Sequence, residues 1–351
     1  MNILISAYTG LGNFILLSPL FSSIMESYPK ANIDLIIEKD GNLNYLKKNY
    51  NYGKVIDFNK NINLWGRIKF IKYLVQENYD YIIMPFLGQI EKIFLFLLLF
   101  RFNNYIIHYD VKNRSIKNKI KNTLYRLHPF ITEVELDRND HEIKSYLNLL
   151  KKLGINKNID DARPDLFISP NSAFYKKYDL IKNQYIVLQP GCRNGLDSYK
   201  NWSTNNFNKL IELINNNLNT KIVLIGNEDD LPAISKIKNK NNVLSLVGLT
   251  SMLELVSIIK NSKVNILHNS SPMHIGWAIH ANVIVINGTV NFYRNYHSKN
   301  NFINLFPDND NYSFPANKVF MSEKESLDKY GKNYLSKIPA SIVFKTIKKF
   351  L

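Results

Sequence analysis

The chain has 351 residues, 45% of them hydrophobic and 13% aromatic, which supports packed cores of domain size and excludes a disordered or low-complexity chain. Its single cysteine, Cys192, excludes an internal disulfide framework and a cysteine-based zinc site. The formal charge of +16 points to an anionic partner: nucleic acid, a membrane surface or a substrate. In chain order, apolar runs predict strands at 3–7, 33–37, 55–57, 81–85 and 105–109, with helical patterns at 16–26 and 64–76. The N-terminus opens directly on a strand-like run without a charged n-region or cleavage site, so no signal peptide is expected. A polar, proline-bearing stretch, 156–183, reads as the hinge. Beyond it, strands are predicted at 185–189, 221–225, 264–267 and 283–287, and helices at 207–215, 233–238 and 251–260. The last residues, 339–351, carry helical spacing.

Alternation of this kind implies parallel sheets with helical crossovers. The fold class is therefore α/β: two Rossmann-like domains facing a central cleft. The predicted boundaries are 1–165 for the first domain, 166–335 for the second, and 336–351 for a terminal helix.

Charge is concentrated at 112–126, which holds six Lys and Arg and no acid. Just before it, 93–100 is an unbroken apolar run. A membrane span needs about 20 apolar residues, so this run is not one. It fits either a buried helix or an interfacial segment. Beside a basic stretch, the second option gives peripheral membrane contact through 93–126. A nucleic-acid partner ranks last, because neither a glycine–aromatic RNA signature nor a helix-turn-helix pattern is present.

The most informative stretch is His268-Asn269-Ser270-Ser271-Pro272-Met273-His274. It follows an apolar strand and opens a small-residue helix. A turn at the carboxyl end of a parallel strand offers hydroxyls and helix N-terminal N–H groups to one spot, where phosphates bind. The plainer alternative is an ordinary N-cap. Gly191 and Cys192 follow Gln189-Pro190 at another strand end and can offer backbone N–H groups to a phosphate. Glu228, after Gly226-Asn227, can accept from ribose hydroxyls or serve a helix N-terminus. Thr250 opens a helix and reads as its N-cap or a nucleotide contact. Gly10-Leu-Gly12-Asn13 closes the first strand as a glycine turn that permits close ligand approach. It is not a dinucleotide fingerprint, since Ile15 stands three places after Gly12.

These pieces resemble, in order, glycosyltransferase family 9, the bacterial heptosyltransferases. The family's Asp-(Ser/Thr)-Gly-x-x-His signature is similar to 269–274, with Asn269 in place of Asp and Ser271 in place of Gly. Further resemblance lies in Leu17-Ser-Pro19, Lys200-Asn-Trp202, Val247-Gly248-Leu-Thr250 and Gly288-Thr289, so that it runs from Met1 to about Thr289. The resemblance implies a GT-B enzyme, its terminal helix 336–351 packing back on the first domain, that moves a sugar, with inversion, from a nucleotide-sugar donor to an anionic glycolipid or glycan acceptor. It implies donor contacts from Gly191, Cys192, Glu228, Thr250, Asn269, Ser270, Ser271, Pro272 and Met273. Lys200 and His274 would meet the donor phosphates or sugar, where a cation neutralises the leaving nucleoside diphosphate. Gly10 and Gly12 would form the acceptor-side turn.

The family's proposed base is an Asp directly after the second glycine of that turn. Here the residue is Asn13, whose amide orients a hydroxyl but cannot take its proton near neutral pH. Three readings follow. The base is another first-half residue, His108, Asp110, Glu91 and Asp137 being the candidates; the donor is not ADP-heptose; or catalysis is lost and the protein only binds a nucleotide sugar. No metal or other cofactor is expected: no Asp-x-Asp pair follows an apolar strand, and Asp308-Asn-Asp310 reads as a turn.

Overall fold

The computed structural model describes residues 1–59, 61–86, 104–109, 129–135, 140–192, 200–238, 241–288, 294–297, 300–307, 323–331 and 333–351. They divide into two compact units, Met1–Phe167 and Ile168–Leu351. Each unit is a six-stranded sheet in which every pairing is parallel.

In the first unit, β1 (Asn2–Ser6), β2 (Asn32–Glu38), β3 (Val55–Phe58), β4 (Tyr81–Met84), β5 (Asn104–Tyr109) and β6 (Ile131–Glu135) lie in the order β3-β2-β1-β4-β5-β6. In the second, β7 (Tyr185–Leu188), β8 (Lys221–Leu224), β9 (Val243–Ser245), β10 (Val264–His268), β11 (Val283–Ile286) and β12 (Phe302–Leu305) lie in the order β12-β11-β10-β7-β8-β9. Counted from its own first strand, each sheet runs 3-2-1-4-5-6, the doubly wound Rossmann order. In both, the chain reverses its direction of winding beside the first strand: between β1 and β4, and between β7 and β10. Ligands of open parallel sheets bind beyond the carboxyl ends of the strands at this reversal.

The strands form because they are apolar on both faces. Every residue of β7, β10 and β11 is buried, as a sheet covered by helices on both sides requires. The helices carry a single apolar stripe. Helix Thr204–Asn217 buries Asn206, Phe207, Leu210, Ile211 and Ile214 and leaves Asn205, Lys209, Glu212 and Asn216 to water.

Several expectations are corrected. The predicted helix at 16–26 is two helices, Leu11–Leu17 and Pro19–Ser27, broken at Ser18 because Pro19 is well placed to start a helix and poorly placed to continue one. Gly12 is accordingly inside a helix, and only Gly10 forms the turn. The hinge stretch contains the helix Ala173–Tyr178. Strands β6, β9 and β12 are short and had no clear sequence signal. The terminal helix, Ala340–Ile347, does not leave for the first unit. Ala340, Val343, Phe344 and Ile347 join Phe207, Leu210, Ile211 and Ile214 in the core of the second. Trp202 Nε1 donates to the Ile338 carbonyl at 2.8 Å, and Asn206 Nδ2 donates to those of Ser336 and Ile338. The stripe of Thr204–Asn217 needs a cover, and this helix supplies it. The segment proposed for membrane contact, 93–126, lies outside the described residues except for β5.

Candidate functional site

At the reversal point of the second sheet, the ends of β7 and β10 are cross-linked by buried polar groups. Gln189, directly after β7, accepts from the His268 backbone N–H at 3.2 Å. Its amide also brackets the Ser270 hydroxyl, which lies 3.0 Å from Nε2 and 3.1 Å from Oε1. Ser270 is the extended residue before helix Ser271–Ala278, and its side chain does not cap that helix. Ser270 holds the N-cap position, but its hydroxyl bonds Gln189 instead of capping the helix. Pro272 lies in the first turn, where its missing N–H costs nothing. Met273 and His274 follow and are buried.

His268 is fully buried and accepts the Trp202 backbone N–H at Nε2, 2.9 Å away. Burial pushes its pKa down to about 4, with hydrogen bonding to the Gly191 backbone pulling the other way. The ring is thus neutral, with its proton on Nδ1. One imidazole ties two pieces together: the strand that ends in the Asn269–Ser270 turn and the Lys200-Asn201-Trp202 loop. Lys200 is half-buried and two residues from the Trp202 anchor. A cation, a helix N-terminus and two post-strand loops thus belong to one sheet edge, which suits an anion.

Gly191 is glycine because a Cβ there would overlap the Asp230 carboxylate. A Cβ on Gly226 would come within 2.5 Å of the same group. Asp230 is buried, and its Oδ2 accepts from the Asn227 N–H at 2.9 Å. Loss of water raises its pKa above the usual carboxylate range. Glu228 is exposed on the same turn, and its side chain packs beside Gly248, whose φ is +73°. Cys192 is buried and takes no part in a disulfide. Thr250 does not open the next helix. Ser251 is the N-cap of Met252–Asn261 and forms a reciprocal capping box with Glu254.

Asn269 is buried and donates both amide hydrogens, to Asn287 Oδ1 at 3.1 Å and Asn295 Oδ1 at 3.0 Å. His274 Nδ1 lies 2.8 Å from His297 Nε2, and His297 stacks on Trp277 with centroids 4.2 Å apart. Segment 294–297 therefore holds both Asn269 and His274. Sequence reading missed Asp230, Asn287, Asn295, His297 and Asn304. The one legible signal was a polar residue directly after an apolar strand, which Asn287 is.

At the reversal point of the first sheet, Gly10 and Asn13 are exposed, and a Cβ on Gly10 would meet nothing within 4 Å. Asn13 donates to Thr9 Oγ1 at 3.1 Å. The nearby strand ends carry a pair that sequence reading did not single out: Tyr8 OH donates to Glu38 Oε1 at 3.2 Å. Burial, and then Glu38, push the Tyr8 pKa up to about 12. Among the base candidates, His108 lies in β5, while Asp110, Glu91 and Asp137 are outside the described residues. No group of three or more His, Cys, Asp or Glu able to hold a metal occurs among the described residues.

Two doubly wound parallel sheets, one in each unit, give the chain the GT-B fold. The family model for glycosyltransferase family 9 (heptosyltransferase) matches residues 122–311, and the chain belongs to that family as a glycosyltransferase. The chain is 25% identical to lipopolysaccharide heptosyltransferase 3 of Escherichia coli strain K12, over 97% of this chain and 95% of that protein. The crystal structure of a family 9 glycosyl transferase from Veillonella parvula shares the fold at a TM-score of 0.78 and 17% identity, covering 99% of this chain and 96% of that one. E. coli heptosyltransferase WaaC with ADP-2-deoxy-2-fluoro heptose shares it at 0.68 and 14%, with both chains fully covered.

Proposed function

We propose that the protein transfers a heptose or hexose-like sugar from a nucleotide-sugar donor to a lipopolysaccharide, O-antigen or other cell-surface glycan, with inversion and without a metal. The observation that carries this reading is the cross-linked edge of the second sheet, where Lys200, the Gly191 loop and the Ser271–Ala278 helix start are fastened through His268 and Gln189. Its relatives' printed names supply the donor and acceptor classes. An acceptor hydroxyl attacks the anomeric carbon, and the bond from that carbon to the nucleoside diphosphate breaks. Lys200 and the helix N-terminus take up the charge that develops on the leaving group. His274 binds the phosphates or the sugar. Glu228 accepts from the ribose, and Thr250 lies near the base. In the first unit Asn13 orients the acceptor hydroxyl, and the proton leaves to another group. The protein works at the inner face of the cytoplasmic membrane, held peripherally through 93–126; no helix among the described residues is long and apolar enough to cross a membrane.

A second reading is a nucleotide-sugar-binding protein without turnover, favoured by the amide of Asn13. One pair of experiments decides. A melting-temperature panel of ADP-, UDP-, GDP- and dTDP-sugars finds the donor, since a ligand that binds only the folded state raises the melting temperature. Transfer from that donor to a lipopolysaccharide acceptor, with the product anomer read by NMR, separates enzyme from binder. A retained anomeric configuration would overturn inversion, and an inactive protein that binds donor would favour the second reading.

A further inference from the structure

Asn269 is the first link of a hydrogen-bonded amide chain whose direction is set by backbone groups at both ends. At the far end, the His297 carbonyl only accepts, and Asn304 Nδ2 donates to it at 2.8 Å. That leaves Asn304 Oδ1 facing inward, where it accepts from Asn287 Nδ2 at 3.2 Å. Asn287 Oδ1 then faces the other way. It accepts the Gly288 backbone N–H at 2.9 Å and Asn269 Nδ2 at 3.1 Å. Asn287 is 1% exposed and Asn269 8%, so little water is at hand to repair a mismatch. Turning any one amide round sets oxygen against oxygen. Turning Asn287 and Asn304 together strips Gly288 N–H of its acceptor and aims Asn304 Oδ1 at the His297 carbonyl. Asn295 adds a second acceptor for Asn269, 3.0 Å away. With both amide hydrogens used, Asn269 Oδ1 has no hydrogen-bond partner among the described residues.

We propose that Asn287 and Asn304 are positioning residues that fix Asn269 as donor toward the protein and acceptor toward the sugar, so that a neutral carbonyl, not a carboxylate, receives a sugar hydroxyl in the donor site. The sugar contact rests on the donor-site reading above; the direction of the amide chain does not. An aspartate at 269 would not restore a lost function. It would bring a carboxylate against Asn287 Oδ1 and Asn295 Oδ1, and only its protonated form could donate to either.

The test is Asn269→Asp, with Asn304→Asp as a second variant at the far end. Without ligand, Asn269→Asp is expected to melt below wild type at pH 8 and to recover toward wild type by pH 5. The sign follows from a folded-state pKa held above the unfolded one, which confers stability at low pH and loses it as pH rises through the folded value. With ADP-heptose and ADP as probes at pH 8, the variant should lose about ten-fold or more in affinity for ADP-heptose and little for ADP, the cost of a misplaced buried polar group. Asn304→Asp, which leaves the His297 carbonyl without a donor, should weaken ADP-heptose selectively and to a smaller degree. If Asn269→Asp melts like wild type from pH 5 to pH 8, the amide direction is overturned. A lesion that weakens ADP and ADP-heptose equally overturns the sugar contact. If wild type binds no ADP-heptose, the proposed donor falls with the sugar contact, while the melting curves still decide the amide direction. If Asn269→Asp does not fold, selective loss of ADP-heptose by Asn304→Asp supports the chain, and unchanged selectivity overturns it.

Discussion

The two sheets have one topology and opposite edges. Beyond β7 and β10, the polar groups are buried and bonded to one another: Gln189 to His268 and Ser270, His268 to Trp202, Asn269 to Asn287 and Asn295. Among the described residues beyond β1, Gly10 and Asn13 face solvent, Asn13 donates to Thr9, and Tyr8 donates to Glu38. A preorganised edge stabilises charge without reorganising when that charge develops. An open edge admits a large partner and holds it with few fixed groups. On the proposed function, the second unit recognises the small anionic donor tightly and the first engages the bulky acceptor more loosely.

The largest expected effect tests the closed edge. Lys200→Ala should lower transfer by about 10²–10³-fold and weaken donor binding with an unchanged melting temperature, as removal of one charge-stabilising donor does in other enzymes. Unchanged affinity for a nucleotide sugar that wild type binds would remove Lys200 from the site. Next comes pH. A neutral buried His268 stabilises the fold fully above the ordinary histidine value near 6.5, and the contribution is lost as pH falls from there through about 4, amounting to about 3 kcal/mol. Urea melts of wild type and His268→Gln between pH 7 and pH 4 should therefore converge toward the acid end. Parallel curves would mean that the imidazole is not the linked group.

Gly191→Ala should cost about 1–3 kcal/mol, because the new methyl meets the Asp230 carboxylate against a packed turn. A thermal melt checks this, and an unshifted midpoint would show that the turn gives way. The smallest effect belongs to the open edge. Asn13→Ala should leave donor affinity and melting temperature unchanged and lower transfer by less than about ten-fold, since orienting a hydroxyl is worth less than general-base catalysis at about 10²–10⁴-fold. A loss as large as that of Lys200→Ala would make the first edge as preorganised as the second and erase the contrast.

The sequence alone determined the alternation of strands and helices, and with it two parallel α/β domains. Strands covered on both faces must be largely apolar, and crossover helices must carry a stripe, so both patterns are local. It also singled out the 268–274 turn as a candidate site, because phosphate sites of parallel sheets sit in the residues that follow apolar strands, and Lys200 by its resemblance to a family motif. Tertiary structure alone decided what those residues bond to. Gln189 and Ser270 are 81 residues apart, Trp202 and His268 are 66, and Asn287 and Asn304 are 17. Nothing in the local pattern of any of them announces a partner at such a separation. The terminal helix has the same character. Its apolar spacing was legible, but its destination was not, because an apolar stripe specifies burial without specifying which neighbour provides it. Asn269 is the sharpest case. Read alone, it is an aspartate lost; within the fold, Gly288 N–H and the His297 carbonyl fix the direction of the amides between them and leave room only for a donor.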